Sequence, residues 1–557
     1  MIEFQLDLYN NRTQLQSKSF KEVVQKYRRK NGRHPPPKFD QHDCVDFDNF
    51  DRIMDDLRPF WGIPPADIRA MVKSMDSDKH KVAILKIRMH RVLPPPDPRP
   101  ASWTWRADTF TKMLQSIAMY LPNLDIAMNT LDEPRVVVPW EDIQAYLEIE
   151  RRNRNLTTLT LNTFSEAALE NENNVKKDNI DLGFFDHSGK PYMDLASKSC
   201  PPDSYVRRPG IYNHKIESYF KDPVSGILLN YNRSMDLCTV GPLMSNLHGF
   251  LFSSSDTIAT QKLVPIFGEC KVNVNNDILF PANKYYDVDD AEYTYNSTHD
   301  VPWEEKKDVM FWRGVTSDGT QIKETWRNLG RHRFVAFTNA TNLVDAKVKI
   351  MRTTAEAKVM KYHTALYPIA SFMQSKTDVG FNKIQWCVPD CEYILKEIGT
   401  KDGVEFADVF KYKFLPDLDG HSFSGRWHAF LKSRSVSMKA TIFKEWHDER
   451  LKEWVHFVPL SYRFDELYTV LTYFMGLEKE YLGNEVFHVP KHDATAEGIA
   501  ERGREWASKV LRKEDIEIYM LRLMLEYARV VDDNRDTIGY SGDGSEVDKE
   551  FETPESQ

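Results

Sequence analysis

Phe110, Met113, Leu114, Ile117 and Leu121 recur at helical spacing. The stretch 109–121 is therefore predicted to be an amphipathic helix with one face on a core. Two short apolar runs follow, LDIAMN and RVVVPW, and both read as strands. A second alternation begins after residue 260. KKDVMFWRG is predicted to be a buried strand ending in a loop, with FVAF, KYKFLP and WVHFVP as further strands and helices between them. Alternation of this kind in both halves predicts an α/β architecture with parallel sheets. Near the end, Ile516, Tyr519, Met520, Leu523, Tyr527 and Val530 share one face of a helix over 514–531. Its late position suits a helix crossing between domains.

Polar stretches set the boundaries. Pro35 to Pro37 and the run PPPDPRP at 94–100 enforce extended chain. The Asn- and Glu-rich stretch 150–182 reads as a mobile insertion or loop. After Val531 the chain is acidic and rich in Gly, Ser and Thr, and is expected to be disordered. At 557 residues the chain exceeds one ordinary core. The division expected is an extended arm with a helical lead-in over 1–102, one α/β domain over 103–265 and a second over 266–500. Closing helices at 501–531 and a tail at 532–557 complete it.

Composition narrows the function. Asp and Glu number 83 against 74 Lys and Arg, a net charge of −9, so no basic stripe marks a nucleic-acid binder. Twelve Trp and 24 Tyr suit either sugar stacking or ordinary cores. The absence of a transmembrane-length apolar run, and a start unlike a signal peptide, predict a soluble chain whose membrane association needs an anchor outside it. Six cysteines permit disulfides or buried thiols, with Cys387 and Cys391 placed to close a small loop around Pro389. Cys and His spacing offers no metal site. Asn-x-Ser/Thr sequons at Asn11, Asn155, Asn232, Asn296 and Asn339 favour a secretory compartment.

Two loops carry candidate chemistry. VMFWRGVTSDG delivers Trp312 and Arg313 from a strand to a loop with Gly314, Thr316, Ser317 and Gly319. At the carboxyl end of a parallel strand such a loop faces the crevice where open α/β sheets bind ligands. DGHSFSGRW repeats the arrangement with Gly420, Ser424 and Arg426. Two arginine loops fit one anion, since forked cations and helix-start amides both suit a diphosphate. Arg313 in a surface ion pair is the plainer alternative. Asp417 and Asp419 are read as turn-capping rather than metal-binding. Glu445 is a candidate for accepting ribose hydroxyls, while His447, Asp448 and Glu449 read as a solvated helix start. Asp132, after LDIAMN, is either a turn residue before Pro134 or a general base at a cleft edge.

The motifs WRG, GHSFSGR, LKEWVHFVPL and LRKEDIEIYMLRLMLEYARVV resemble glycosyltransferase family 90, over about residues 105–530. The arm YRRKNGRHPPPKFD and the edge LDEPRVVVPWED look like its fungal capsule-associated branch. The resemblance implies a GT-B fold, in which two Rossmann-like domains face across a cleft. The domain at 103–265 would take the acceptor and that at 266–500 the nucleotide sugar. It implies inversion without an obligatory metal or other cofactor. Arg313 and Arg426 become diphosphate clamps supported by Ser317 and Ser424, and Glu445 a ribose contact. Asn129, Asp132 and Pro134 match the Asn-x-x-Asp-x-Pro frame of the protein O-glucosyltransferases, which makes Asp132 the favoured base. Glu133 stands where the animal enzymes have an aromatic, and HSFSG departs from their phosphate loop. The implied reaction is β-1,2 transfer of xylose from UDP-xylose to a mannose-containing glycan in the Golgi lumen. UDP-glucose is the alternative donor, and a non-catalytic glycan-binding role the rival.

Overall fold

A computed structural model describes residues 1–40, 48–75, 77–95, 101–165, 180–208, 216–287, 293–353, 362–482 and 485–552. Two five-stranded sheets organise it. In the first, β1 (Val82–Arg88), β2 (Arg91–Leu93), β3 (Leu124–Asn129), β4 (Ile266–Gly268) and β5 (Ile278–Leu279) lie in the order β2-β1-β3-β4-β5. β3, β4 and β5 run parallel, but β1 is antiparallel to both β2 and β3. This sheet is mixed, not parallel as expected. It also draws strands from beyond both expected boundaries, since β1 and β2 precede residue 103 and β4 and β5 follow residue 265.

The second sheet holds β6 (Lys307–Val315), β7 (Thr377–Lys383), β8 (Tyr412–Leu418), β9 (Val436–Ala440) and β10 (Val458–Pro459) in the order β7-β6-β8-β9-β10. Every pairing is parallel. The chain leaves β6 to one side for β7 and returns to the other for β8. The β6/β8 junction is therefore the topological switch point, outside whose carboxyl ends open α/β sheets bind ligands. Phe414, Leu418, Met438 and Ala440 are essentially inaccessible, as expected of strands covered on both faces.

Local differences have physical causes. RVVVPW makes only a single bridge, Val136 to Thr260, because the amides of Arg135 and Val136 donate to the Asp277 carboxylate. FVAF lies in a helix, α2 (Gly330–Thr338), which follows α1 (Ala101–Ile117). A four-residue apolar run with buried neighbours carries no period to separate strand from helix. β10 is only two residues long, Val458 and Pro459, and the Leu460 amide that follows still donates to Lys439 of β9.

After α3 (Trp427–Lys432) and α4 (Asp493–Val510) comes α5 (Lys513–Val530). Every residue of α5 from Tyr519 to Val530 is buried. Tyr527 meets Phe267 of the first sheet edge-on at 4.9 Å, and Tyr519 meets Trp446 beside the second at 5.2 Å. The helix thus packs on both halves.

The segment after Val531 is ordered where described, contrary to expectation. Ile538 pairs with Leu161 of the polar stretch expected to be mobile, whose residues 166–179 lie outside the described ones. The Tyr540 amide donates to Pro35, and Tyr540 and Val547 join Phe20, Val23, Val24 and Phe39 in a separate apolar cluster. The arm is less extended than its prolines imply, with helices at Ile2–Gln14 and Phe20–Asn31. Cys387–Cys391 and Cys200–Cys238 are disulfide-bonded, Cys270 is a buried thiol, and Cys44 lies outside the described residues. Among the described residues no helix is long and apolar enough to cross a membrane. The five sequon asparagines are exposed.

Candidate active site

A cavity of about 630 Å³ opens at the β6/β8 switch point and reaches the first sheet. That is ample for a nucleotide-sized ligand. The end of β6 supplies Gly314 and the loop after it Ser317, and the loop after β8 supplies Gly420 to Arg426. Arg106 of α1, Asp132 beyond β3, Glu269 beyond β4 and Lys284 form the opposite wall. Two runs distant in sequence and the Asp132 turn therefore meet in one space.

The loops touch through Gly420. A Cβ there would lie 2.7 Å from Ser317 Oγ and 3.1 Å from Arg331 Nη2, so a side chain at 420 would push the Ser317 hydroxyl and the Arg331 guanidinium aside. Ser317 Oγ accepts from Arg331 Nη1 at 2.7 Å. Ser424 Oγ lies 3.3 Å from Nε of Arg426, whose Nη1 donates to the main-chain carbonyl of Arg313 at 2.9 Å. Arg426 Nη2 makes no hydrogen bond to the described residues, which leaves it available to an anion. Trp312 is 1% exposed and lies beneath both Arg331 and Arg426, each guanidinium 5.6 Å from its ring. It acts as a floor for cations rather than a contact surface.

Three expected donor residues are placed otherwise. Arg313 borders the cavity, but its guanidinium pairs with Asp378 at 2.8 Å and donates to the carbonyls of Trp312, Asp378 and Asp402. Thr316 is fully buried, its hydroxyl fixed between the carbonyl and amide of Gln385. Glu445 does not line the cavity. Its carboxylate accepts from Tyr285 at 2.8 Å and Lys439 at 3.2 Å. Burial, opposed by Lys439 and reinforced by Asp448, raises its pKa to about 8. His447 is fully buried against His428, not solvated. Asp417 accepts from Lys439, and Asp419 from His248 and the Ile442 amide, so both are internal ion-pair and amide partners rather than turn caps. No cluster of three potential metal ligands occurs among the described residues.

The Asp132 side chain is 42% exposed toward the cavity and pairs with Arg106, which also binds Glu269. Burial alone would raise its pKa, but Arg106, with His421 and Lys284, outweighs it and holds the carboxyl below its ordinary range. Asp132 is therefore ionised at neutral pH. The neighbouring Glu133 is 2% exposed, and burial together with the charges of Asp132 and Asp256 lifts its pKa to about 8. Two adjacent carboxyl groups thus hold opposite protonation states at neutral pH.

Arg106, Arg331, His421 and Trp386 line the cavity without having been singled out from sequence. Arg106 and Arg331 sit inside helices, where nothing local distinguishes them from surface arginines. His421 lies in the GHSFSGR motif and is the most readable of the four.

The parallel sheet with its switch-point cavity places the chain among α/β proteins that carry a ligand space at the carboxyl ends of their strands. The family model for Glycosyl transferase family 90 matches residues 251–536, just over half of the chain. The chain belongs to that family. "O-glucosyltransferase rumi" of Drosophila pseudoobscura pseudoobscura is 34% identical over 131 residues, 23% of this chain and 28% of the relative. "Protein O-glucosyltransferase 1" of Homo sapiens is 28% identical over 272 residues, 49% of this chain and 58% of the relative. The chain thus spans less than two thirds of either relative.

Proposed function

We propose that this chain is an inverting glycosyltransferase that transfers glucose from UDP-glucose to an acceptor hydroxyl. The observation that carries this reading is the meeting of Asp132 with Ser317, Arg331 and Arg426 in one switch-point cavity of a family 90 chain. Asp132 takes the proton of the acceptor hydroxyl as its oxygen bonds to the anomeric carbon. The bond from that carbon to the diphosphate breaks on the opposite face, and UDP leaves with the electron pair. Arg426 and the loop hydroxyls stabilise the charge that develops on the diphosphate, an interaction strongest in the transition state. The two sheets correspond to the two halves of a GT-B arrangement, and the cationic wall supplies the charge compensation that a metal gives elsewhere.

The relatives named are O-glucosyltransferases, which supports glucose as the donor over the xylose implied by the resemblance to the capsule-associated branch. Two disulfides and the exposed sequons support a secretory-pathway lumen. The test is UDP release from a panel of UDP-sugars, in EDTA, with and without acceptor. Acceptor-dependent release from UDP-glucose is expected. Release from UDP-xylose alone with a mannobioside acceptor would restore the xylosyl reading, and loss of activity in EDTA would overturn metal independence.

A further inference from the structure

His421 follows Gly420 at the end of β8 and lines the cavity. Its Nδ1 lies 3.3 Å from the Gly319 amide nitrogen and 3.1 Å from Ser255 Oγ. A main-chain amide can only donate, so the facing Nδ1 must hold a lone pair, and the neutral ring carries its proton on Nε2. Ser255 Oγ is also 3.2 Å from Glu133 Oε1. Ser255 Oγ donates to Glu133 Oε1, and the Gly319 amide is the group that fixes the lone pair on Nδ1. The edge of Trp386 stands 4.9 Å from the imidazole, nearly perpendicular to it, and fixes the ring plane. Nε2 has no hydrogen-bond partner among the described residues.

Charges on every side agree with this arrangement. Burial lowers the pKa of His421, with Arg331 acting the same way against Asp132 and Asp318, so the ring stays neutral. Asp132 and Asp256 face Glu133 and favour its protonated form.

We propose that His421, held in one tautomer by the Gly319 amide, donates its Nε2–H to a hydroxyl of the transferred sugar lying between Asp132 and Arg426. This rests on the sugar-transfer reading of the cavity. It assigns to His421 a contact with the sugar and none with the diphosphate.

The experiment compares wild type, His421→Ala and His421→Gln by kcat/KM for the UDP-sugar that wild type uses and by calorimetric Kd for UDP. In His421→Ala, kcat/KM is expected to fall about tenfold or more, the worth of one well-placed hydrogen bond, while UDP affinity stays within about twofold. His421→Gln, whose amide Nε2 can reach the same region, recovers most of the loss. An equal fall in UDP affinity, or a glutamine variant no better than alanine, overturns the proposal. If wild type turns over no UDP-sugar, the enzymatic reading fails separately. ¹⁵N spectra of histidine-labelled protein, assigned by the signals lost in His421→Gln, then still decide the geometry. A neutral Nε2–H ring at pH 7 is expected, and an Nδ1–H ring or an imidazolium would overturn it.

Discussion

Arg426 donates to the main-chain oxygen of Arg313 at 2.9 Å, so the two arginines stand in series rather than side by side. One supports the loop and the other faces the ligand space. Arg426→Ala is therefore expected to weaken UDP about 10- to 100-fold, the range for a lost charged hydrogen bond. Arg313→Ala leaves Asp378 without its guanidinium partner and lowers thermal stability, with UDP affinity changing less than about threefold. Calorimetry and a melting curve on both variants check this division. Equal losses of UDP affinity would return Arg313 to the clamp.

Asp132→Asn keeps shape and removes the proton acceptor. Turnover is expected to fall about 10²–10⁴-fold with UDP binding retained, the usual contribution of a positioned base. Initial rates and calorimetry on the same preparation measure both. Unchanged turnover removes Asp132 from the mechanism.

Glu133 gives a pH signature. Its carboxyl ionises near 4.5 when exposed but at about 8 in the fold. The stability tied to its protonated state is complete below pH 4.5 and is lost as pH rises through 8. Glu133→Gln is expected to stabilise by about 1–3 kcal/mol at pH 8.5 and to flatten the stability curve between pH 5 and 9. Glu445 and Glu526, raised to about 8 and about 7, leave part of the slope in place. A variant curve parallel to wild type would contradict the assignment.

Glu445→Gln tests the corrected role of Glu445. Its partners Tyr285 and Lys439 are buried with it, so the change is expected to shift the melting temperature and leave UDP affinity unaltered. A tenfold loss of UDP affinity, about 1.4 kcal/mol, would restore the ribose contact.

Gly319 has φ +82°, and a Cβ on it would lie 2.5 Å from the Ser253 carbonyl oxygen. Gly319→Ala is expected to cost about 2–4 kcal/mol from left-handed strain and overpacking. Denaturant melts report the size, and a loss under about 0.5 kcal/mol would show that the loop relaxes freely.

What the sequence revealed follows from the range of each interaction. β6 and β8 were readable because strongly apolar strands run into Gly- and Ser-containing loops, a pattern confined to a dozen neighbouring residues. Asp132 stood out by its turn. The partner of each charge was hidden, because Asp378 lies 65 residues from Arg313 and Glu269 lies 163 from Arg106. Local sequence marked arginines, carboxylates and glycines as chemically able. Only the packing of two sheets decided which arginine faces open space and which is neutralised. Glu445 shows the same limit, since burial beside Tyr285 and Lys439 turned a candidate ligand contact into an internal hydrogen-bond partner.

The Phe20 amide donates to the Asp548 carboxylate across 528 residues of chain. During synthesis at about 5–20 residues per second, that partner emerges roughly half a minute to two minutes later. Over that interval the apolar face of Phe20, Val23 and Val24 has no Tyr540 or Val547 to cover it. The Phe20–Asn31 helix is then among the last to find its final neighbours, and a nascent chain stalled short of residue 540 would present that face to chaperones.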